Sequence, residues 1–170
     1  MPVIKHPAQR VGVLIDTQNL YHSAKHLYKS RVNFQNVLQE AVGDRILVRA
    51  IAYVISTEGG DEKSFFEALT KIGIETKVKG LQIFSDGAKK ADWDVGIAID
   101  AVKLAPKLDT LILATGDGDF VPLIEYLEND GVQVEVISFG KSSSQKLKEA
   151  AHAFTDMCDD PKKFIIGYRG

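Results

Sequence analysis

The sequence predicts an α/β domain built on a mainly parallel sheet with helices on both faces. Apolar runs alternate with amphipathic stretches along the chain, the pattern of strand–crossover–strand units. Several of those runs are unbroken Val/Ile/Leu segments, as expected of strands covered on both sides. The chain has 170 residues, 45% of them hydrophobic, enough to bury one core without disulfide or metal staples.

Taken in order, five strands are predicted at 11–15, 46–55, 75–79, 110–115 and 132–137, each a short apolar or β-branched run. "LQIF" at 81–84 is expected to add a short strand or a turn. Helices fit 20–29, 34–42, 62–72, 93–104, 120–129 and 144–153. Phe65, Phe66, Leu69 and Ile72 recur at helical spacing and are read as core. The loop at 56–62, "STEGGDE", and the tail beyond Asp159 are the expected mobile segments. Residues 1–170 are read as a single domain with its core at about 10–155. The tail at 156–170 holds Phe164, Ile165, Ile166 and Tyr168, and is expected to pack on the domain or on a second subunit.

Composition excludes some functions and leaves others open. Cys158 is the only cysteine, so no intrachain disulfide and no thiolate cluster can form. There is no apolar stretch of the roughly 20 residues a membrane span needs and no signal-peptide core, so a cytoplasmic location without membrane association is expected. A net charge of −2 gives no nucleic-acid footprint by itself, although an acidic site can mask a local basic surface in the sum.

The chemistry gathers at aspartates. "VGVLIDTQNL" and "LILATGDGDF" share one form, an apolar run closed by Asp16 in the first and by Asp117 and Asp119 in the second. In an open parallel sheet, the C-terminal strand ends line the crevice where ligands bind. If the first and fourth strands are neighbours, the three acids meet there. In "KKADWDVGIAIDAVKLA" a helical projection puts Asp94 on the side of Val95, Ile97, Ala98, Ala101 and Val102, while Asp92 and Asp100 fall towards the polar side. An inward carboxylate requires a partner. Carboxylates about 4 Å apart repel by roughly 4 kcal/mol per pair at an effective dielectric near 20. Mg²⁺ or Mn²⁺ is the compensating charge that fits oxygen ligands, and either ion can activate water against a phosphodiester. "GDGDF" alone also fits a structural turn, with Asp119 as helix cap and Asp117 closing the turn. Pro122, however, removes an amide that a capping Asp119 would bind.

"VLIDTQNLY", "KKADWDVGIAIDA" and "LATGDGDFVPLIEYLENDGVQVEV" resemble the three blocks of the NYN domain, in particular its LabA-like (DUF88) branch within the PIN-like nuclease superfamily. The resemblance runs from about Val11 to Phe154. It implies a PIN-like three-layer α/β/α fold around a mainly parallel five-stranded sheet, and a metal-dependent ribonuclease site. Carried across, Asp16, Asp94, Asp117 and Asp119 would be the catalytic and metal-holding set. Asn19 would be the polar residue of the "DxxN" motif, and Asp100 would support the site from behind. His152 stands where the family often has an aspartate, a departure expected to alter a peripheral contact. Many LabA-like proteins carry a further C-terminal domain. None is expected beyond Gly170, so specificity would come from this domain or a protein partner.

These residues predict a Mg²⁺- or Mn²⁺-dependent endoribonuclease acting on RNA, with Asn19 and Thr115 orienting ligands or phosphate and Lys89 and Lys90 contacting the RNA backbone. Two rivals come from other classes. One is a non-catalytic regulatory or scaffold protein that uses the acidic pocket for metal, nucleotide or a partner, and a homodimer is compatible with either role. The other is a metal-dependent phosphatase, disfavoured because "DTQN" lacks the second aspartate of the "DxD" pattern. "FGKSSS" is not a Walker loop, since the first glycine of that motif falls at Glu135, but Gly140, Lys141 and the serines could meet a phosphate. His22 and His26 have zinc-ligand spacing without a third ligand and are read as a solvated helix face; of the lysine run, Lys71, Lys77 and Lys79 are read as a solvated face, with Lys89 and Lys90 set apart as phosphate contacts.

Overall fold

A computed structural model describes residues 3–56, 62–80, 82–83, 89–90 and 92–170, with backbone only at 82–83 and 89–90. The central sheet has six strands in the order β3-β2-β1-β6-β7-β8, where β1 is Arg10–Asp16, β2 Ile46–Ser56, β3 Glu75–Gly80, β6 Thr110–Ala114, β7 Gln133–Ser138 and β8 Ala153–Asp156. Every adjacent pair is parallel. A separate two-stranded antiparallel ribbon joins β4 (Gln82–Ile83) to β5 (Lys89–Lys90). Leu81 and Phe84 of the expected "LQIF" element, and most of the loop expected at 56–62, lie outside the described residues.

The unbroken apolar runs divide by strict alternation. Val11, Val13 and Ile15 of β1 and Ile112 and Ala114 of β6 point into one core, which they share with α1 (Thr17–Tyr28), α2 (Phe34–Val42) and α3 (Lys63–Lys71). Leu14, Leu111 and Leu113 point into the other, beneath α4 (Asp94–Leu104), α5 (Val121–Asn129) and α6 (Gln145–Ala150). Phe164 of α7 (Pro161–Phe164) and the following Ile165 are buried in the first core, and Ile165 bridges to Val32. At the foot of the sheet, Arg45 makes a two-pronged ion pair with Glu135 at 2.8 and 3.1 Å, and both side chains are buried.

The sixth strand was not expected. Residues 144–153 read as one helix, but α6 stops at Ala150, Ala151 turns extended, and Ala153–Asp156 pairs beside β7. In "EAAHAF" the small residues give no period that separates helix from strand, and pairing with β7 decides the outcome. Asp156 then accepts the amides of both Gly140 and Cys158 at 2.8 Å. The Gly140 amide, considered above as a phosphate contact, is therefore already taken by a carboxylate of the chain.

The strand order positions the site. The chain proceeds from β1 outward to β2 and β3, then returns to β6 on the other side of β1, so crossovers leave β1 and β6 in opposite directions. That reversal opens a crevice at the C-terminal ends of β1 and β6, and the neighbouring strands required for it pair from Val11↔Thr110 to Ile15↔Ala114.

Candidate metal centre

Asp16 ends β1 and caps α1: one carboxylate oxygen accepts the Asn19 amide at 3.3 Å, the other the Thr115 hydroxyl at 3.1 Å. Thr115 follows β6 and is 1% exposed. Its hydroxyl also accepts the Asp117 amide at 3.2 Å, so one buried side chain spans two of the acids. The Asn19 side-chain oxygen accepts the Gly116 amide at 2.8 Å, tying the first turn of α1 to the loop after β6. Both residues brace the loop. Asp117 caps the 3-10 turn Gly118–Phe120 by accepting the Asp119 amide at 2.9 Å. The structural role weighed for "GDGDF" is thus present, but it falls to Asp117, while Asp119 is exposed. The loop is held from above by close packing. A Cβ on Gly116 would stand 2.7 Å from the Ser143 hydroxyl and 3.1 Å from Ser143 Cα, and one on Gly118 would stand 2.6 Å from the Ser144 hydroxyl.

Asp94 comes from the other side. Trp93 donates its indole N–H to the Val54 carbonyl at 3.0 Å and packs against Tyr53 with ring centroids 5.4 Å apart, which pins the start of α4 to the end of β2. Gly96 leaves room for that indole, since a Cβ there would lie 2.6 Å from it. Asp92 then accepts the Asp94 amide at 3.1 Å. The helix is rotated relative to the sequence projection: Ile97, Ala101 and Leu104 are buried, whereas Val95 is 72% and Val102 41% exposed. Asp94 lies at the border of the buried arc and Asp100 at the opposite border. Asp100 does not face solvent as projected; it accepts the Tyr53 hydroxyl at 2.8 Å and pairs with Lys77 at 2.7 Å.

These placements bring Asp94, Asp117 and Asp119 together, one oxygen of each lying within 4.8 Å of the others. Asp16 adjoins them. Burial raises its pKa first, and the charges of Asp117 and Asp92 add to the shift. Asp94 carries the larger perturbation, raised to about 7 by desolvation and then by Asp117, Asp92, Asp16 and Asp119 in turn. In Asp100 desolvation is outweighed by the hydrogen bonds from Lys77 and Tyr53, which hold it below the ordinary carboxylate value and remove it from the repelling set. Asp92, two residues before Asp94 in "DWD" and placed by the helical projection on the polar side, stands near enough to add its charge to the shifts of Asp94 and Asp16.

The donor set fits a hard divalent cation. Oxygens on one Mg²⁺ at 2.0–2.1 Å stand at most about 4.2 Å apart. Oxygens already within 4.8 Å reach that spacing by side-chain adjustment of a few tenths of an ångström each. The all-oxygen chemistry suits Mg²⁺ or Mn²⁺ and disfavours thiophilic ions. Lys89 and Lys90 form β5, and their side chains lie outside the described residues. Lys79 stands 4.7 Å over the Trp93 ring, while His22 and His26 are exposed on α1. His152 accepts the Val134 amide at 2.9 Å near the start of β7, at the far end of the sheet from the aspartates.

The family model of the NYN domain matches residues 10–158. The low amplitude and bright protein LabA of Synechococcus elongatus is 29% identical over 125 residues, 70% of this chain and 67% of that protein. An uncharacterized protein of Methanocaldococcus jannaschii is 27% identical over 144 residues, 84% of this chain and 52% of its own length, so the chain spans about half of that relative. The crystal structure of a Vibrio parahaemolyticus protein of unknown function superposes with a TM-score of 0.85 at 32% identity, covering 94% of this chain and 98% of its own.

Proposed function

The chain belongs to the NYN domain family, within the PIN-like nuclease superfamily, and from that premise we propose that it is a metal-dependent endoribonuclease. The observation that carries the reading is the convergence of Asp94, Asp117 and Asp119 at the sheet's switch point, with Asp16 beside them. Four carboxylates from three segments, one raised to about 7, form an arrangement that is electrostatically unfavourable unless a cation is bound.

Asp94, Asp117 and Asp119 would hold Mg²⁺ or Mn²⁺. When bound, the ion neutralises phosphate charge and lowers the pKa of water in the site. The chain's own residues set the geometry. Thr115 and the Asn19 amide each hold one oxygen of Asp16, which fixes the carboxylate at the end of β1. Asp117 keeps one oxygen on the turn it caps, so its remaining lone pairs have a defined direction. Trp93 sets the position of Asp94. Asp100, neutralised by Lys77, supports α4 without adding charge to the site. Lys89 and Lys90, on the ribbon that precedes α4, would contact the RNA backbone.

Cleavage of single-stranded RNA with Mn²⁺ tests the proposal, with Asp117→Asn and Asp16→Asn as controls. Loss of cleavage in both variants is expected. Equal cleavage by wild type and variants would identify a contaminant and remove the proposal.

A further inference from the structure

Beside the acids lies a cavity of about 460 Å³. Thr17, the residue after Asp16, is part of its wall, and Val54 and Ile55 at the C-terminal end of β2 line it. Asp16 is in register with Tyr53 on β2, and Val54 and Ile55 follow Tyr53, so the cavity and the acidic crevice share the C-terminal edge of the sheet at β1 and β2. Its lining is mixed in a particular way. Tyr21, Phe34 and Phe65 supply aromatic surface, with the Phe34 and Phe65 rings 5.8 Å apart, and Gln18, His22 and Arg31 supply polar groups. Glu62 also lines it, and Lys25 stands 5.8 Å over the Tyr21 ring.

We propose that this cavity is a nucleobase subsite, receiving an unpaired RNA base next to the phosphate that meets the aspartates. The inference rests on the ribonuclease reading and extends it to substrate class. A base offers flat faces to the rings and hydrogen-bonding edges to Gln18, His22 and Arg31, and an arginine plane stacks on bases as well as on aromatic rings. Gln18 and His22 hydrogen-bond one another at 3.1 Å, and His22 and Arg31 are exposed, so the polar groups stand at the solvent side of the cavity, where the edge of a base would meet them. A volume of about 460 Å³ lies in the range of small-molecule pockets and accommodates one nucleoside. A base held in a duplex cannot enter without leaving its stack, so the site selects single strands.

The test is fluorescence anisotropy with a labelled ten-nucleotide single-stranded RNA in Ca²⁺, its integrity checked on a gel, and a series carrying one abasic nucleotide at each position. Stacking of a single base sets the expected effect: affinity falls roughly five- to a hundredfold at one position in the series. Tyr21→Ala, at a 45% exposed position, is expected to weaken the intact RNA similarly and flatten the series, while Tyr21→Phe restores both. The same RNA annealed to its complement is expected to bind more than tenfold more weakly. A flat series in wild type, no RNA binding, equal duplex binding, or Tyr21→Ala indistinguishable from wild type would each overturn the subsite. Cleavage of the same series in Mn²⁺ separates the two proposals. Cutting with a flat profile leaves the nuclease and removes the pocket; position-dependent binding without cutting does the reverse.

Discussion

Removing a charge from the acidic cluster is expected to make the metal-free protein more stable. The most informative change is Asp117→Asn, because Asp117 is the leading charged neighbour raising the pKa of both Asp94 and Asp16. The asparagine keeps a side-chain oxygen for the Asp119 amide, so the turn remains capped. Carboxylate oxygens up to 4.8 Å apart repel by about 1 kcal/mol in water and about 3.5 kcal/mol at an effective dielectric of 20. The site is partly open to solvent, which screens the interaction, so roughly 1–2 kcal/mol is the expected gain. In a chain of this length that raises Tm by about 2–8 °C. The assay is calorimetric unfolding of EDTA-treated protein at pH 8, where Asp94 is ionised. Asp94 titrates near 3.8 unfolded and at about 7 folded, so the native state holds the extra proton between those values and stability falls as pH rises through them. The advantage of the variant should therefore shrink at pH 5. Divalent metal reverses the order: Mn²⁺ at a hundred times its Kd adds about 2.7 kcal/mol to wild type and much less to the variant. A metal-free Asp117→Asn protein less stable than wild type at pH 8, or stabilised as much by Mn²⁺, would refute the electrostatic reasoning.

Breaking the buried pair with Arg45→Met or Glu135→Leu alone is expected to cost about 3–5 kcal/mol in urea unfolding, with the double variant recovering most of it. Arg45 and Gln133 hold the Glu135 pKa down against desolvation, so the pair's stability is present above the ordinary carboxylate value and is lost as pH falls below about 4. Gly116→Ala forces a methyl against Ser143 backbone and hydroxyl and should cost about 1–3 kcal/mol, with RNA cleavage lowered by the displaced Asp117 loop. Trp93→Leu removes the indole bond that positions Asp94 and should weaken Mn²⁺ binding about 10–100-fold by titration calorimetry, whereas unchanged affinity would show that α4 is held otherwise.

Much of the architecture was legible because it rests on local signals. The runs "VGVLI" and "TLILA" announce buried strands through continuous apolar residues, and the aspartates closing them mark the C-terminal edge. Asp16, Asp117 and Asp119 could be placed at one edge of the sheet once β1 and β6 were taken as neighbours, an adjacency that β1–β6 pairing supplies. The illegible parts depend on tertiary contacts. Strand β8 forms because β7 has a free edge for it, and the small residues before it carry no period of their own. The rotation of α4 is set by Trp93 reaching the Val54 carbonyl, so an ideal helical wheel misplaced Val95, Val102 and Asp100. Thr115 and Asn19 look like ligand contacts in a linear motif, yet their hydrogen bonds run to Asp16, Asp117 and Gly116. The cavity had no linear signal, because its walls come from α1, α2, β2, α3 and the segments before α2 and after α7.

The most direct test is anomalous diffraction from crystals soaked in Mn²⁺. A peak within bonding distance of Asp94, Asp117 and Asp119 is expected, absent from Asp117→Asn crystals treated identically. Soaked crystals with the three carboxylates in place and no peak between them, or with manganese bound only elsewhere, would contradict a divalent-ion centre at this edge of the sheet.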